Sequence, residues 1–342
     1  MDDMSGELGE LVDAIVAETG LSGVVRVDVD GRAVVQRAYG FAHRAHRVGA
    51  RVDTLFATAS GTKGLTALAV MSLVETGDLT LQTTARSLLG GDLPLIDDRV
   101  TVEHLLSHRS GIGDYLDEDD LDDSTEYVLA VPVHRLATTE QFLSVLDGYP
   151  TKFEPGTRFS YCNGGFVVLA LIAERASGVP FHELVEQRVC RPARMSDTAF
   201  LRSDELPGRA AIGYLDDSGD RSNVLHLPVR GNGDGGIYTT AADVHAMWDA
   251  LFTGRIVSLD TLEHMTRSRS DVAEESRTYG LGFWLDASGG TVMLVGGDAG
   301  VGFFSARDRH GRFTATVLCN QTRGCWPTSQ RLMRLVATES LP

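Results

Sequence analysis

The sequence predicts an α+β protein: one antiparallel sheet built from the N- and C-terminal segments, flanked by helices, with a mostly helical region inserted between them. Three observations carry this. A β-hairpin pattern stands near the N-terminus, strand patterns fill the chain from Gly280 onward, and apolar helical runs dominate the stretch between. Residues 1–57 and 205–342 are expected to form a discontinuous α/β part and residues 58–204 a helical part. Together they make a single domain over 1–342, without repeats or a low-complexity linker.

Taken in order, Glu7 to Glu18 puts Leu8, Leu11, Val12, Ile15 and Val16 on one helical face and stops at Gly20. Gly23 to Val29 and Arg32 to Tyr39 are strands joined by Asp30-Gly31, a favoured two-residue hairpin turn. Leu65 to Val74 is apolar on nearly every side, the mark of a helix buried within the protein, and Gly77 closes it. Asp98 to Ser110 reads as a short helix with Val102, Leu105 and Leu106 inward. The acidic run from Asp114 to Asp123 reads as a solvated loop. Thr139 to Leu146 and Gly165 to Ala176 are helices, the second stopped by Gly178. Leu281 to Leu285, Thr291 to Val295, Gly302 to Ala306 and Phe313 to Leu318 are strands separated by turn residues, and Thr328 to Thr338 is an amphipathic helix.

Composition narrows the function. A formal net charge of −16 argues against a nucleic-acid partner, which needs a basic face. No uninterrupted apolar run reaches membrane-spanning length, and the acidic N-terminus is unlike a secretory signal. The four cysteines are too scattered for a disulfide framework, so the expected address is cytoplasmic. The ten histidines lack metal-site spacing. Gly231-Asn232-Gly233-Asp234-Gly235-Gly236 lacks the Gly-Lys-Ser/Thr of a phosphate cradle. The expected site therefore uses neither metal nor cofactor, and oligomeric state stays open.

The chemistry concentrates at Ser60-Gly61-Thr62-Lys63, where the buried helix begins. Residues three apart share a helical face, so the Ser60 hydroxyl and the Lys63 amine can meet. A helix N-terminus also offers free N–H groups to a developing oxyanion. The chain has 29 arginines but only two lysines, Lys63 and Lys152. Arginine cannot release its proton, whereas a buried lysine can act as a base, so a lysine at this position points to proton transfer.

With Tyr161-x-Asn163 added to Ser60-x-x-Lys63, the sequence resembles the serine β-lactamase and penicillin-binding protein superfamily. It is most similar there to class C β-lactamases, DD-peptidases and related esterases. Leu105-Leu106-Ser107-His108-Arg109-Ser110-Gly111, Phe153-x-Pro155-Gly156, Gly233-Asp234-Gly235-Gly236-Ile237-Tyr238-Thr239-Thr240 and Gly300-Val301-Gly302-Phe303 follow in family order. The resemblance implies a β-lactamase/transpeptidase-like fold and a serine hydrolase acting on a small ester or amide. Ser60 would be the nucleophile and Lys63 its proton acceptor. Tyr161, its phenolate favoured by the neighbouring ammonium, would be a second base, and Asn163 would bridge substrate and Lys63. The third family motif departs from K-T-G or H-x-G: Gly296-Gly297-Asp298 stands there. Gly297 would let substrate approach the strand, Ala299 N–H would complete the oxyanion hole, and Asp298 would bring a negative charge. That departure counts against the alternatives, a β-lactamase or DD-peptidase. A non-catalytic penicillin-binding or sensor domain is the remaining alternative.

Overall fold

The computed structural model describes residues 2–118, 121 and 123–337, with side chains from residue 6 to residue 336. Its centre is an eight-stranded, wholly antiparallel sheet. In spatial order the strands are Arg32–Tyr39, Gly23–Val29, Phe313–Cys319, Val301–Asp308, Thr291–Asp298, Trp284–Asp286, Arg277–Tyr279 and Ser270–Val272. The N-terminal hairpin thus docks on the last strand of the chain, with Gly23 opposite Cys319 and Val29 opposite Phe313. Its turn is built as expected: Asp30 and Gly31 both have positive φ, 48° and 74°.

Alternation along the strands feeds two cores. Val25 and Val317 face the terminal helices Asp2–Thr19 and Cys325–Ala337, whose Leu8, Val12, Leu332 and Val336 join them. Val24 and Leu318 face the larger core, which holds the helices Thr62–Thr76, Asn163–Ser177 and Ala241–Phe252. Thr62–Thr76 is buried without a break from Thr62 to Leu73, as its all-round apolar sequence requires.

Several boundaries differ from the sequence reading. The helix expected over Asp98–Ser110 is only Val102–Leu106, because Thr101 caps it by accepting from His104 N–H and His108 turns out of it at φ 54°. The strand expected at Leu281 begins at Trp284, since Gly282 takes φ 84°. The edge strand Ser270–Val272 and its neighbour Arg277–Tyr279 were not foreseen, because three residues are too few to display a period. The C-terminal helix starts at Cys325, and Thr338 lies outside the described residues.

One buried polar chain bolts the sheet to the Ala241–Phe252 helix. Arg26 Nε donates to Asp28 Oδ1 (2.9 Å), and His245 Nδ1 lies 2.9 Å from Asp28 Oδ2. His245 Nε2 meets Thr316 Oγ1 at 3.0 Å, Thr316 meets Ser305 Oγ at 2.8 Å, and Trp248 Nε1 donates to Ser305 at 2.8 Å. Burial pushes the Asp28 carboxyl up, but the hydrogen bonds from His245 and Arg26 outweigh it and hold the group down at about 2. A carboxylate with a depressed pKa contributes stability above its unfolded value of 3.8, and that stability is lost as pH falls toward 2. The expected outcome for Asp28→Asn is a loss of about 2 kcal/mol at pH 7, with a shallower loss than wild type between pH 4 and 2. Urea unfolding at each pH measures both.

Candidate active site

Ser60 sits in a single 3₁₀ turn, Ala59–Gly61, immediately before the buried helix begins at Thr62. Ala59 takes φ 43°, a left-handed conformation that costs a residue with a Cβ of order 1 kcal/mol and persists only where packing imposes it. That packing comes from the strand Thr291–Asp298. A Cβ built on Gly296 would lie 2.0 Å from Thr58 O and 3.0 Å from Ser60 N, so only glycine lets the strand backbone reach the Ser60 turn.

Lys63 is 2 % exposed, and its Nζ has three oxygen partners: Ser60 Oγ at 2.9 Å, Asn163 Oδ1 at 2.8 Å and the Asp234 carbonyl at 2.8 Å. Burial lowers the Lys63 pKa against the opposing pull of Asp234, Glu118 and Asp114. The consequence is directional. The Asn163 and Asp234 oxygens can only accept, so an amine that has lost one proton keeps its two N–H groups on them. Its lone pair is then left facing Ser60, the one partner able to donate.

Tyr161 is hydrogen-bonded to Ser60, with Lys63 Nζ 4.9 Å from its ring centroid. The expected phenolate is not favoured here: burial, reinforced by Glu118, drives the Tyr161 pKa well above 10, whereas burial lowers that of Lys63.

Asn163 fixes Lys63 as anticipated but has no N–H left for substrate: Nδ2 donates to Leu116 O (2.9 Å) and Glu118 Oε1 (3.1 Å). The role foreseen for Ala299 also fails. Its N–H donates to Asp298 Oδ1 (2.7 Å) and its carbonyl accepts from Asn223, so it is spent within the hairpin turn. Gly297 does line the cleft, with Trp326 3.0 Å from where its Cβ would be. Asp298 is not a fixed full charge, since burial pushes its pKa up to about 7.

The first five residues of the acidic run, Asp114 to Glu118, pack against the site where a solvated loop was expected. Asp114 is buried and caps the Asn163–Ser177 helix, accepting from Asn163 N (2.5 Å), Gly164 N (2.8 Å) and Leu116 N (3.3 Å). Burial holds its pKa near 6 even against those N–H groups. Tyr115 OH donates to Asp234 Oδ2, and Asp117 pairs with Lys152. Asp119, Asp120 and Asp122 lie outside the described residues.

Sequence reasoning missed the work of His108, although its motif was visible. His108 O accepts from Ser160 N (2.9 Å) and its Nδ1 accepts from Cys162 N (3.0 Å), so one residue grips both neighbours of Tyr161. Its ring lies 4.3 Å from the Tyr161 ring. Because a backbone N–H only donates, Nδ1 is unprotonated. Burial and nearby Lys63 keep the imidazole neutral, with its pKa well below 6.5. Trp284 stacks on Tyr161 at 6.1 Å and 16°. Asp234, whose carbonyl holds Lys63, and Glu118 were likewise not singled out.

The cleft, about 760 Å³, is lined by Ser60, Tyr161, Glu118, Gly296, Gly297, Trp284, Trp326 and other groups. Residues 8–338 match the family model described as Beta-lactamase, and the chain belongs to the beta-lactamase family. It is similar to Penicillin-binding protein 4* of Bacillus subtilis (strain 168), at 26 % identity over 318 residues, 88 % of this chain and 68 % of that protein. It is similar also to Esterase EstB of Burkholderia gladioli, at 29 % over 320 residues, 82 % of this chain and 78 % of the relative. Among solved structures, the penicillin binding protein from Bacillus halodurans superposes with a TM-score of 0.89 at 34 % identity, covering 95 % of this chain and 99 % of that one. The chain spans from about half to about four fifths of the length of its curated relatives. The family includes hydrolases.

His108→Phe keeps the ring packing but strands the Cys162 N–H, at a cost of ~1–3 kcal/mol in stability. With Tyr161 displaced, kcat should fall on the order of tenfold with KM changing much less. His108→Asn, whose Oδ1 can replace Nδ1 and which tolerates positive φ, should recover much of the loss. Steady-state kinetics beside a melting curve separates positioning from mere destabilisation.

Proposed function

We propose that this protein is a serine hydrolase that acts through an acyl-enzyme on a small ester or amide. The observation that carries the reading is the three-oxygen cradle of Lys63, which turns the lone pair of a neutral amine toward Ser60. In the first step Lys63 Nζ accepts the Ser60 Oγ–H proton while the Oγ–carbon bond forms at the substrate carbonyl. The resulting oxyanion faces the Ser60 N–H and the strand at Gly296–Gly297. Collapse breaks the bond to the leaving group, which takes up the proton that Lys63 accepted, passed on by way of Tyr161 OH. Water then repeats the sequence in reverse, leaving the acid product and free Ser60. The wide cleft on the Tyr161 side suits a variable alcohol or amine leaving group.

Ser60→Ala should lower turnover of p-nitrophenyl butyrate by at least ~10³-fold and abolish the fluorophosphonate adduct seen by intact mass. Full turnover in that variant would remove Ser60 as nucleophile.

Lys63→Arg should be nearly as inactive as Lys63→Ala, since a guanidinium cannot accept the Ser60 proton. In wild type kcat/KM should rise with pH along a limb set by Lys63, at a pH below the ordinary lysine value because burial lowers its pKa. Near-normal activity in the arginine variant would mean that the residue supplies charge alone.

A further inference from the structure

A groove of about 900 Å³ lies apart from the cleft at Ser60, and among the described residues none lines both. Its lining comes from three parts of the chain: the helical stretch 181–193, the segment 194–200, and the pair Arg230 and Ile237.

Three guanidinium groups line this groove, and their neighbours decide which can meet a ligand. Arg191 is already paired with Glu186 (2.9 Å), five residues back, a spacing that the π-wound turn Glu186–Cys190 brings together. Arg194 is exposed and has no carboxylate partner among the described residues. Arg230 is half-buried and anchored by one side-chain bond, from Nε to Phe200 O at 3.0 Å. Its other N–H groups have no acceptor among the described residues. Across an antiparallel bridge it faces Arg202, and that second charge is neutralised by Asp204 (2.8 Å). Burial and Arg202 lower the Arg230 pKa, and no carboxyl group opposes them. A partly desolvated cation opposite a like charge is costly, and a bound anion relieves both terms.

The remaining groups leave room for that anion. His182 brings no charge: its Nε2 donates to Gly231 O (2.8 Å), and burial with the nearby Arg230 charge holds its pKa at about 4. Its ring packs on Phe200 at 4.6 Å, and Val185, Met195 and Ile237 extend the apolar surface. Two carboxylates also line the groove. Glu186 is taken by Arg191, and the exposed Glu183 accepts from Gln187 Nε2 (2.7 Å). Asp243, behind Thr198, accepts from the Thr198 hydroxyl and the Asp197 N–H. The chain as a whole carries −16, so long-range attraction does not bring an anion here and only a local arrangement can hold one. We propose that this groove binds an organic anion, its carboxylate or phosphate group on Arg230 with Arg194 assisting from the rim, and its apolar body against Phe200, Met195 and Ile237. The assignment is independent of the chemistry at Ser60.

Calorimetric titration of the whole chain with phenyl phosphate, 3-phenylpropanoate and inorganic phosphate tests it. At least one of the two phenyl anions should bind saturably, with a Kd on the order of 0.1–1 mM and at least about fivefold more tightly than inorganic phosphate. Whichever phenyl anion binds better tells a phosphate site from a carboxylate site. Arg230→Gln should weaken that binding by about tenfold or more, and Arg194→Gln by about threefold or more. Because Arg194 is exposed, its variant keeps the test valid if Arg230→Gln fails to fold. Arg277→Gln, in the cleft, should leave the affinity unchanged. Absence of saturable binding, equal affinity for inorganic phosphate, or indifference to both groove substitutions overturns the proposal. Loss of binding in Arg277→Gln alone places the anion in the cleft and overturns it too.

Discussion

The structure depends on one buried amine. Taking an ammonium out of water is expensive, and Lys63 is kept in the interior only because oxygens from three separate parts of the chain converge on it. Each of those oxygens is fixed by something larger. Asn163 begins a fifteen-residue buried helix, the Asp234 carbonyl belongs to a loop that also accepts from Thr66 at the Gly233 carbonyl (2.7 Å), and Ser60 is pressed into its turn by the Gly296 strand. Distance and protonation state are thus set by the scaffold and do not have to be created when substrate arrives.

The same arrangement explains the ring of carboxyl groups. Asp114, Glu118 and Asp234 each pull the Lys63 pKa upward while burial pulls it down, and burial prevails. An amine balanced this way can cycle a proton, which a fully compensated ion pair could not do. Asp114 has a second task, since it accepts the N–H groups that open the Asn163 helix. One carboxyl group therefore couples the helix terminus to the electrostatics of the base.

Much of this was legible in the sequence because it has local signatures. The hairpin at Asp30-Gly31, the all-round apolar helix after Lys63, and the two pairs Ser60-x-x-Lys63 and Tyr161-x-Asn163 are each encoded within a few residues, and the fold belongs to the expected class. What was misread depended on distant neighbours. Nothing in Tyr161-Cys162-Asn163 reveals that burial keeps the phenol protonated, and nothing near Ala299 reveals that Asp298 takes its N–H. The acidic run looked solvated because charge density is a local property, whereas the burial of Asp114 follows from a helix that begins about fifty residues later. His108 was visible in its motif but not in its task, since an imidazole that only accepts is recognised from its partners.

The order of strands in the sheet also governs when the molecule can become active. Gly23–Val29 pairs with Phe313–Cys319, and the turn at Ser60 is held by Gly296, so contacts span nearly the whole chain. Loop closure over such separations is slow, and the strands that supply these contacts are synthesised long after the Ser60 turn. The helices from Thr62 to Ser177 can condense early on the ribosome, but the turn carrying Ser60 has no support until the final strands arrive. A chain that stops short of these strands would carry the serine and the lysine without their supports, so the fold itself withholds the assembled site until the Thr291–Cys319 strands have been made.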